Sequence, residues 1–261
     1  MTSTPTALAA LLLAFTTLWP VAASSTRAHD DTPRPVSARL NRAQQLAAFE
    51  QYVLTSYTRA DLVRYRVPAT VYREALLGYY SLQQRGAATR PVLTIIDFAR
   101  PSREKRMWVI DLRREKVLFH TLVAHGKNTG DDVARAFSNT EGSEMSSLGF
   151  YVTGQTYQGK HGLSLKLHGQ DAGYNTNALA RAVVVHGADY VSEAFVRRHG
   201  RLGRSQGCPA LPVAETPAIV RAISNGSVVY AHAPSGVPFA SAWLQLEPAI
   251  TAFAQHAAAR S

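Results

Sequence analysis

A single cysteine in 261 residues cannot close a disulfide within the chain, so a small disulfide-stapled scaffold is excluded. Charge is also scarce, at 18%, and acidic residues are the scarcer kind, with 18 Asp and Glu against 28 Lys and Arg. Low charge beside 46% hydrophobic residues excludes a disordered polymer, because enough apolar side chain is present to bury a core. There is no repeat of fixed period, which argues against a solenoid or propeller. The apolar stretch from Ala7 to Trp19 is shorter than the roughly 20 residues a membrane-spanning helix needs. What is present is a net charge of +10, which suits an anionic surrounding such as nucleic acid, headgroups or an acidic polymer without choosing among them.

The apolar stretch is followed by Pro20 and the small residues Val21 to Ser25, so residues 1–23 read as a signal peptide and the protein as exported, with no integral membrane span after cleavage. Residues 24–37 are polar and contain Thr32-Pro33-Arg34-Pro35, which predicts a flexible leader. Over 38–88 two helices are expected. Leu46, Phe49 and Val53 share one helical face, and Val71, Ala75, Tyr79 and Leu82 another behind Pro68. From 89 to 235 the texture is β: short apolar runs begin near Val92, Met107, Val117, Phe150, Leu163, Ala182 and Ser227, separated by turn residues. One helix interrupts them, with Thr216 as its expected N-cap and Asn225-Gly226 as its stop. Residues 236–261 read as a C-terminal tail.

Two places carry chemistry, 22 positions apart. His186 ends an apolar run before Gly187, where a strand gives way to a loop. Cys208 stands in Gly203-Arg204-Ser205-Gln206-Gly207-Cys208-Pro209-Ala210, whose glycines and proline demand a special backbone path that can aim N–H groups beside the sulfur. A thiol, a base and such donors are the parts of acyl transfer. A lone cysteine is more often a small buried hydrophobe. Here, however, its flanks are glycine and arginine, and an exported unpaired thiol is an oxidation liability. Arg201 and Arg204 are expected to favour the thiolate. His125 and His168 also precede glycine, but no closely spaced Cys or His pair supports a metal site, and none is expected. Ser146-Ser147 lacks a nucleophile-elbow context and reads as a turn. Nucleic acid is not an expected partner, since no aromatic-basic motif appears.

The segments Val123–Gly130, Phe137–Asn139, Ser146–Tyr151, Ser164–Gly169, Arg181–Tyr190 and Gly200–Ala210, in this order, resemble the murein L,D-transpeptidase catalytic domain family, a branch related to the YkuD-type transpeptidases. Ile96–Phe98 and Pro101–Ser102 fit its opening strand, and the likeness covers most of residues 60–232. The resemblance implies a mainly β, sandwich-type catalytic domain, here behind an α-helical N-terminal layer. It implies Cys208 as nucleophile, His186 as general base, and the backbone N–H groups of Gly207 and Cys208 as oxyanion hole. The implied substrate is a peptidoglycan stem peptide in the periplasm or cell envelope, with no metal or organic cofactor. His168, Arg204, Ser205 and Gln206 are expected to line the cleft and touch it. Gln206 stands where the YkuD signature has a histidine, and Pro209-Ala210 replaces its usual continuation. These departures keep a non-catalytic wall-binding module open as an alternative, and if water resolves the thioester in place of an amine the same site is an L,D-carboxypeptidase. A papain-like or NlpC-type peptidase fits less well, because those place the nucleophile before the histidine.

Overall fold

The computed structural model describes residues 40–258; the expected signal peptide and leader lie outside them. In chain order the elements are α1 (Arg42–Arg59), α2 (Ala69–Gln84), β1 (Val92–Asp97), β2 (Met107–Asp111), β3 (Lys116–Thr121), β4 (Gly149–Gly159), β5 (Gly162–Gly169) and β6 (Val184–Gly187). Then come α3 (Glu193–His199), β7 (Ala210–Leu211), α4 (Thr216–Ile223), β8 (Val228–His232) and α5 (Leu246–Ala258), with a 3-10 turn at Ala242–Leu244.

The strands form one eight-stranded sheet in the order β3-β2-β1-β8-β4-β5-β6-β7. The β1–β8 and β6–β7 pairs are parallel and the others antiparallel. Alternate residues of the central strands enter different cores. Leu93, Ile95, Trp108, Ile110, Val228 and Tyr230 face the helical layer. Val92, Ile96, Met107, Val109, Val229 and Ala231 face the opposite way, and share a core with Ile219, Val220 and Ile223 of α4 and with Leu165, Val185 and Leu211. Burial on both faces is why these strands read as continuous apolar runs. The mainly β fold behind a helical layer is therefore as expected.

The helical layer is held close to the sheet by one small residue. A Cβ on Gly78, in the middle of α2, would lie 2.1 Å from the ring of Phe150, which itself stacks on Tyr230 at 4.3 Å. Close packing of helix on sheet offsets the roughly 1 kcal/mol of helix propensity that glycine forfeits against alanine. Residues 236–261, expected as a tail, instead include α5, whose Ala249, Ile250, Ala252 and Phe253 are buried. Phe253 meets Phe49 of α1 and Tyr80 of α2 edge-on at 5.6 and 5.1 Å. The chain thus returns to complete the helical layer. Thr216 is also placed differently from expectation: it is the first residue of α4, after Glu215, and its hydroxyl donates to Pro212 O at 2.8 Å.

Candidate active site

A third, small core of Leu122, Ala124, Ala188, Val191, Leu202 and Ala210 underlies the loop that carries Cys208. The loop is fastened to the segment following β3 at both ends. Ser205 N donates to His125 O at 2.9 Å and Lys127 N to Ser205 O at 2.8 Å, while Ala124 N donates to Ala210 O at 2.9 Å. Between these anchors Ser205 braces the turn, its Oγ accepting from Gly207 N at 3.0 Å and donating to Cys208 O at 2.6 Å. Ser146 Oγ holds Gly207 O at 3.1 Å, so the reading of Ser146 as part of a plain turn missed a fastening of the loop. Gly207 has φ +122, and a Cβ there would lie 2.7 Å from Met145 O. Both facts require glycine immediately before the cysteine.

Cys208 and His186 line one open cleft of about 460 Å³, together with Tyr157, Lys160, His161 and Arg181. The parallel pairing of β6 with β7 brings them together, with His186 opposite Ala210. His186 is buried, and its Nδ1 lies 2.9 Å from Gly187 O. A carbonyl can only accept, so Nδ1 carries the proton and Nε2 is the basic nitrogen. The group that orients the ring is thus a backbone carbonyl. The thiol is partly buried; its Sγ accepts from Val184 N at 3.4 Å and donates to Ala182 O at 3.7 Å.

Residues 64–232, well over half of the chain, match the L,D-transpeptidase catalytic domain family. The chain belongs to that family. Solved structures similar to it include an L,D-transpeptidase from Mycobacterium smegmatis, at 15% identity and TM-score 0.35, covering 55% of this chain and 59% of that one. Another is the helical cell shape determining protein Pgp2 from Campylobacter jejuni, at 13% identity and TM-score 0.37, covering 67% and 59%. A third, L,D-transpeptidase 3 from Mycobacterium tuberculosis in complex with a faropenem-derived adduct, has 12% identity and TM-score 0.34, covering 55% and 60%. The chain thus spans about three fifths of the length of these relatives. No curated protein sequence matches it.

Within this L,D-transpeptidase-family domain the expected site residues divide. Cys208, His186, Arg204, Ser205 and Gln206 all line the cleft. Gln206 is exposed there, whereas the Ser205 hydroxyl is already engaged in the brace. Gly207 N–H is engaged by the same hydroxyl, so of the two expected oxyanion donors only Cys208 N–H is without a hydrogen-bond partner among the described residues. His168 belongs elsewhere. It lines a separate depression with Gly154, Gln155, Lys166, Leu179 and Asn225. The strand explains this: Ser164 of β5 is in the cleft, and four residues further along carry His168 about 13 Å away.

The charges also differ from expectation. Arg204 Nη1 pairs with Asp131 at 2.7 Å, and Arg201 lies 3.9 Å from the same carboxylate. The cations that favour the thiolate are instead Arg181 and Lys160, and their effect is smaller than that of burial, which pushes the Cys208 thiol up. Burial likewise lowers the His186 imidazole, with smaller contributions in the same direction from His161 and Lys160. Burial thus disfavours the charged form of both groups. His161 stacks on His186, ring centroids 4.4 Å apart, from the β4–β5 turn. Glycines at 159 and 162 mark that turn in the sequence, but no local signal tells that its tip reaches His186. Among the described residues no group of three or more His, Cys, Asp or Glu is placed to hold a metal ion.

Proposed function

We propose that the chain is an exported, peptidoglycan-modifying acyltransferase in which Cys208 is the nucleophile and His186 the general base. The observation that carries this is that Cys208 and His186 line one cleft, with the imidazole Nδ1 committed to Gly187 O so that Nε2 is left free. As Cys208 Sγ attacks the carbonyl of the diamino acid in a stem peptide, Nε2 takes the thiol proton, since burial disfavours the charged form of both groups at rest. The oxyanion is met by Cys208 N–H, and the Nε2 proton then passes to the departing amine of the terminal D-alanine. An amine of a neighbouring stem, deprotonated by the same Nε2, resolves the thioester into a cross-link. Water in its place gives L,D-carboxypeptidation. Membership of the L,D-transpeptidase family supports this reading, as does the excess of basic residues beside an acidic wall polymer. Location in the periplasm or cell envelope follows from where that substrate lies. Among the described residues no helix is long and apolar enough to cross a membrane.

The test is incubation with purified tetrapeptide muropeptides, with mass spectrometry of products and of the intact protein. Dimers together with a transient acyl adduct that is absent in Cys208→Ala are expected. Tripeptides alone would turn the reading to a carboxypeptidase. No adduct and no product from folded protein would leave the wall-binding module.

A further inference from the structure

The cleft is lined by three cationic side chains, Lys160, Arg181 and Arg204, and by no carboxylate. Their surroundings are unequal. Arg204 is neutralised by Asp131 at 2.7 Å. The half-buried Arg181 guanidinium ends only on uncharged oxygens: Nη1 on Ser138 O at 2.7 Å and Ser147 Oγ at 2.5 Å, Nη2 on Ser143 Oγ at 3.1 Å and Met145 O at 2.7 Å. Such bonds fix the guanidinium in place and use all four of its Nη hydrogens, leaving the Nε–H and an uncompensated charge to meet an anion. Among the described residues neither Arg181 nor Lys160 has an acidic side chain in ion-pair range, although the exposed Lys127 and Arg103 nearby both have one. Arg181 also lies against the cysteine loop: its Nη2 is 3.4 Å from where a Cβ on Gly207 would stand, and its charge acts on the Cys208 thiol. Lys160 occupies the β4–β5 turn beside His161, which stacks on His186. Two unpaired cations are thus presented to one cleft that also holds the nucleophile and its base.

A guanidinium held only by neutral acceptors, in a site that water partly leaves when substrate enters, calls for an anion from the substrate. Tying down residues 138–147 would explain Arg181 alone, but Lys160 makes no such tie, and the two share the cleft. We propose that Arg181 and Lys160 form a carboxylate-reading site for the acyl donor, selecting stem peptides that carry free carboxylates beside the scissile bond and rejecting amidated ones. This rests on the acyltransferase reading above. Two carboxylates can meet the requirement: that of the terminal D-alanine and the side-chain carboxylate of the diamino acid.

Three synthetic tetrapeptide donors distinguish them: unmodified, amidated at the C-terminus, and amidated on the diamino-acid side chain. The rate of acyl-adduct formation on Cys208 is read by intact mass for wild type, Lys160→Gln, Arg181→Lys and Arg181→Gln, each checked for folding by its melting temperature. At least one amidated donor is expected to acylate wild type tenfold or more slowly than the free donor. That ratio should shrink to under threefold in Lys160→Gln or Arg181→Gln, and shrink less in Arg181→Lys, which keeps the charge but not the four bonds that fix it. Equal rates with all three donors would overturn the proposal while leaving the acyltransferase reading intact. So would a ratio unchanged in both Gln variants. If no donor acylates a Cys208 that iodoacetamide still alkylates, the acyltransferase reading fails and this proposal falls with it.

Discussion

His125-Gly126 and His186-Gly187 look alike in the sequence, each a histidine before glycine at the end of an apolar run. Their surroundings separate them. His125 is fully buried, and its Nδ1 accepts from Arg106 Nη2 at 2.8 Å while Nε2 meets Gly130 O at 3.2 Å. Arg106 is itself fully buried, lies over the Phe98 ring at 5.2 Å, and donates to Val123 O and Arg100 O. Both ring nitrogens of His125 are thus committed inside the protein. His186 commits only Nδ1, and it lines an open cleft. A basic nitrogen left without a protein partner, rather than histidine at a strand end, distinguishes a catalytic candidate from a structural one.

The sharpest way to break this contrast is to remove each ring in turn. His186→Ala is expected to lower the rate of Cys208 acylation by about 10² to 10⁴, the usual contribution of a general base, with a melting temperature changed by only a few degrees. Stopped-flow or quenched intact-mass kinetics reads the first and calorimetry the second. A rate within threefold of wild type would take His186 out of the mechanism. Next in size is His125→Ala, which leaves the Arg106 guanidinium one acceptor short inside the core and opens a cavity. It should cost about 2–4 kcal/mol of stability while the folded fraction acylates at close to the wild-type rate. A variant as stable as wild type but inactive would reverse the two roles.

How much of this was legible follows from how local each feature is. The strands could be read because burial on both sheet faces writes apolar runs directly into the chain, as in Val92–Ile96 and Val228–Ala231. The Cys208 loop could be read because Gly207 is demanded by its own φ and by Met145 O nearby. The unlike fates of His125, His168 and His186 could not, since each depends on where a strand end lies relative to distant elements. Lys160 and His161 reach the cleft only because β4 and β5 are long enough for their shared turn to come up to His186 of β6. Arg181 carries no local mark, as its acceptors lie 34 to 43 positions earlier. α5 escaped notice because its core-facing side includes Ala249 and Ala252, and alanine signals burial weakly.

A pH dependence of comparable size sharpens the comparison further, because it reads His125 without touching the cleft. Burial first, and then the neighbouring Arg106 charge, lower the His125 pKa to about 4. In the unfolded chain the same ring titrates near 6.5, so between about pH 6.5 and 4 the unfolded state binds a proton that the folded state refuses. The folded-state preference for the neutral ring is fully present above pH 6.5, is lost progressively as pH falls toward 4, and is constant below that. Over this window the effect amounts to something on the order of 3 kcal/mol. Carboxylates titrate in the lower part of the same window, so absolute stability is a poor readout, and the difference between wild type and His125→Ala is the useful one. Chemical-denaturation midpoints should show wild type well above the variant at pH 7, with the gap narrowing steadily as pH falls from 6.5 to 4. His186, whose pKa is lowered by burial as well, contributes a slope of the same sign that both proteins share and that cancels in the difference. A gap that stays constant across the window would mean that His125 takes up a proton in the folded protein as readily as in the unfolded chain. The Arg106–His125 contact would then not be the core feature that sets this histidine apart from His186.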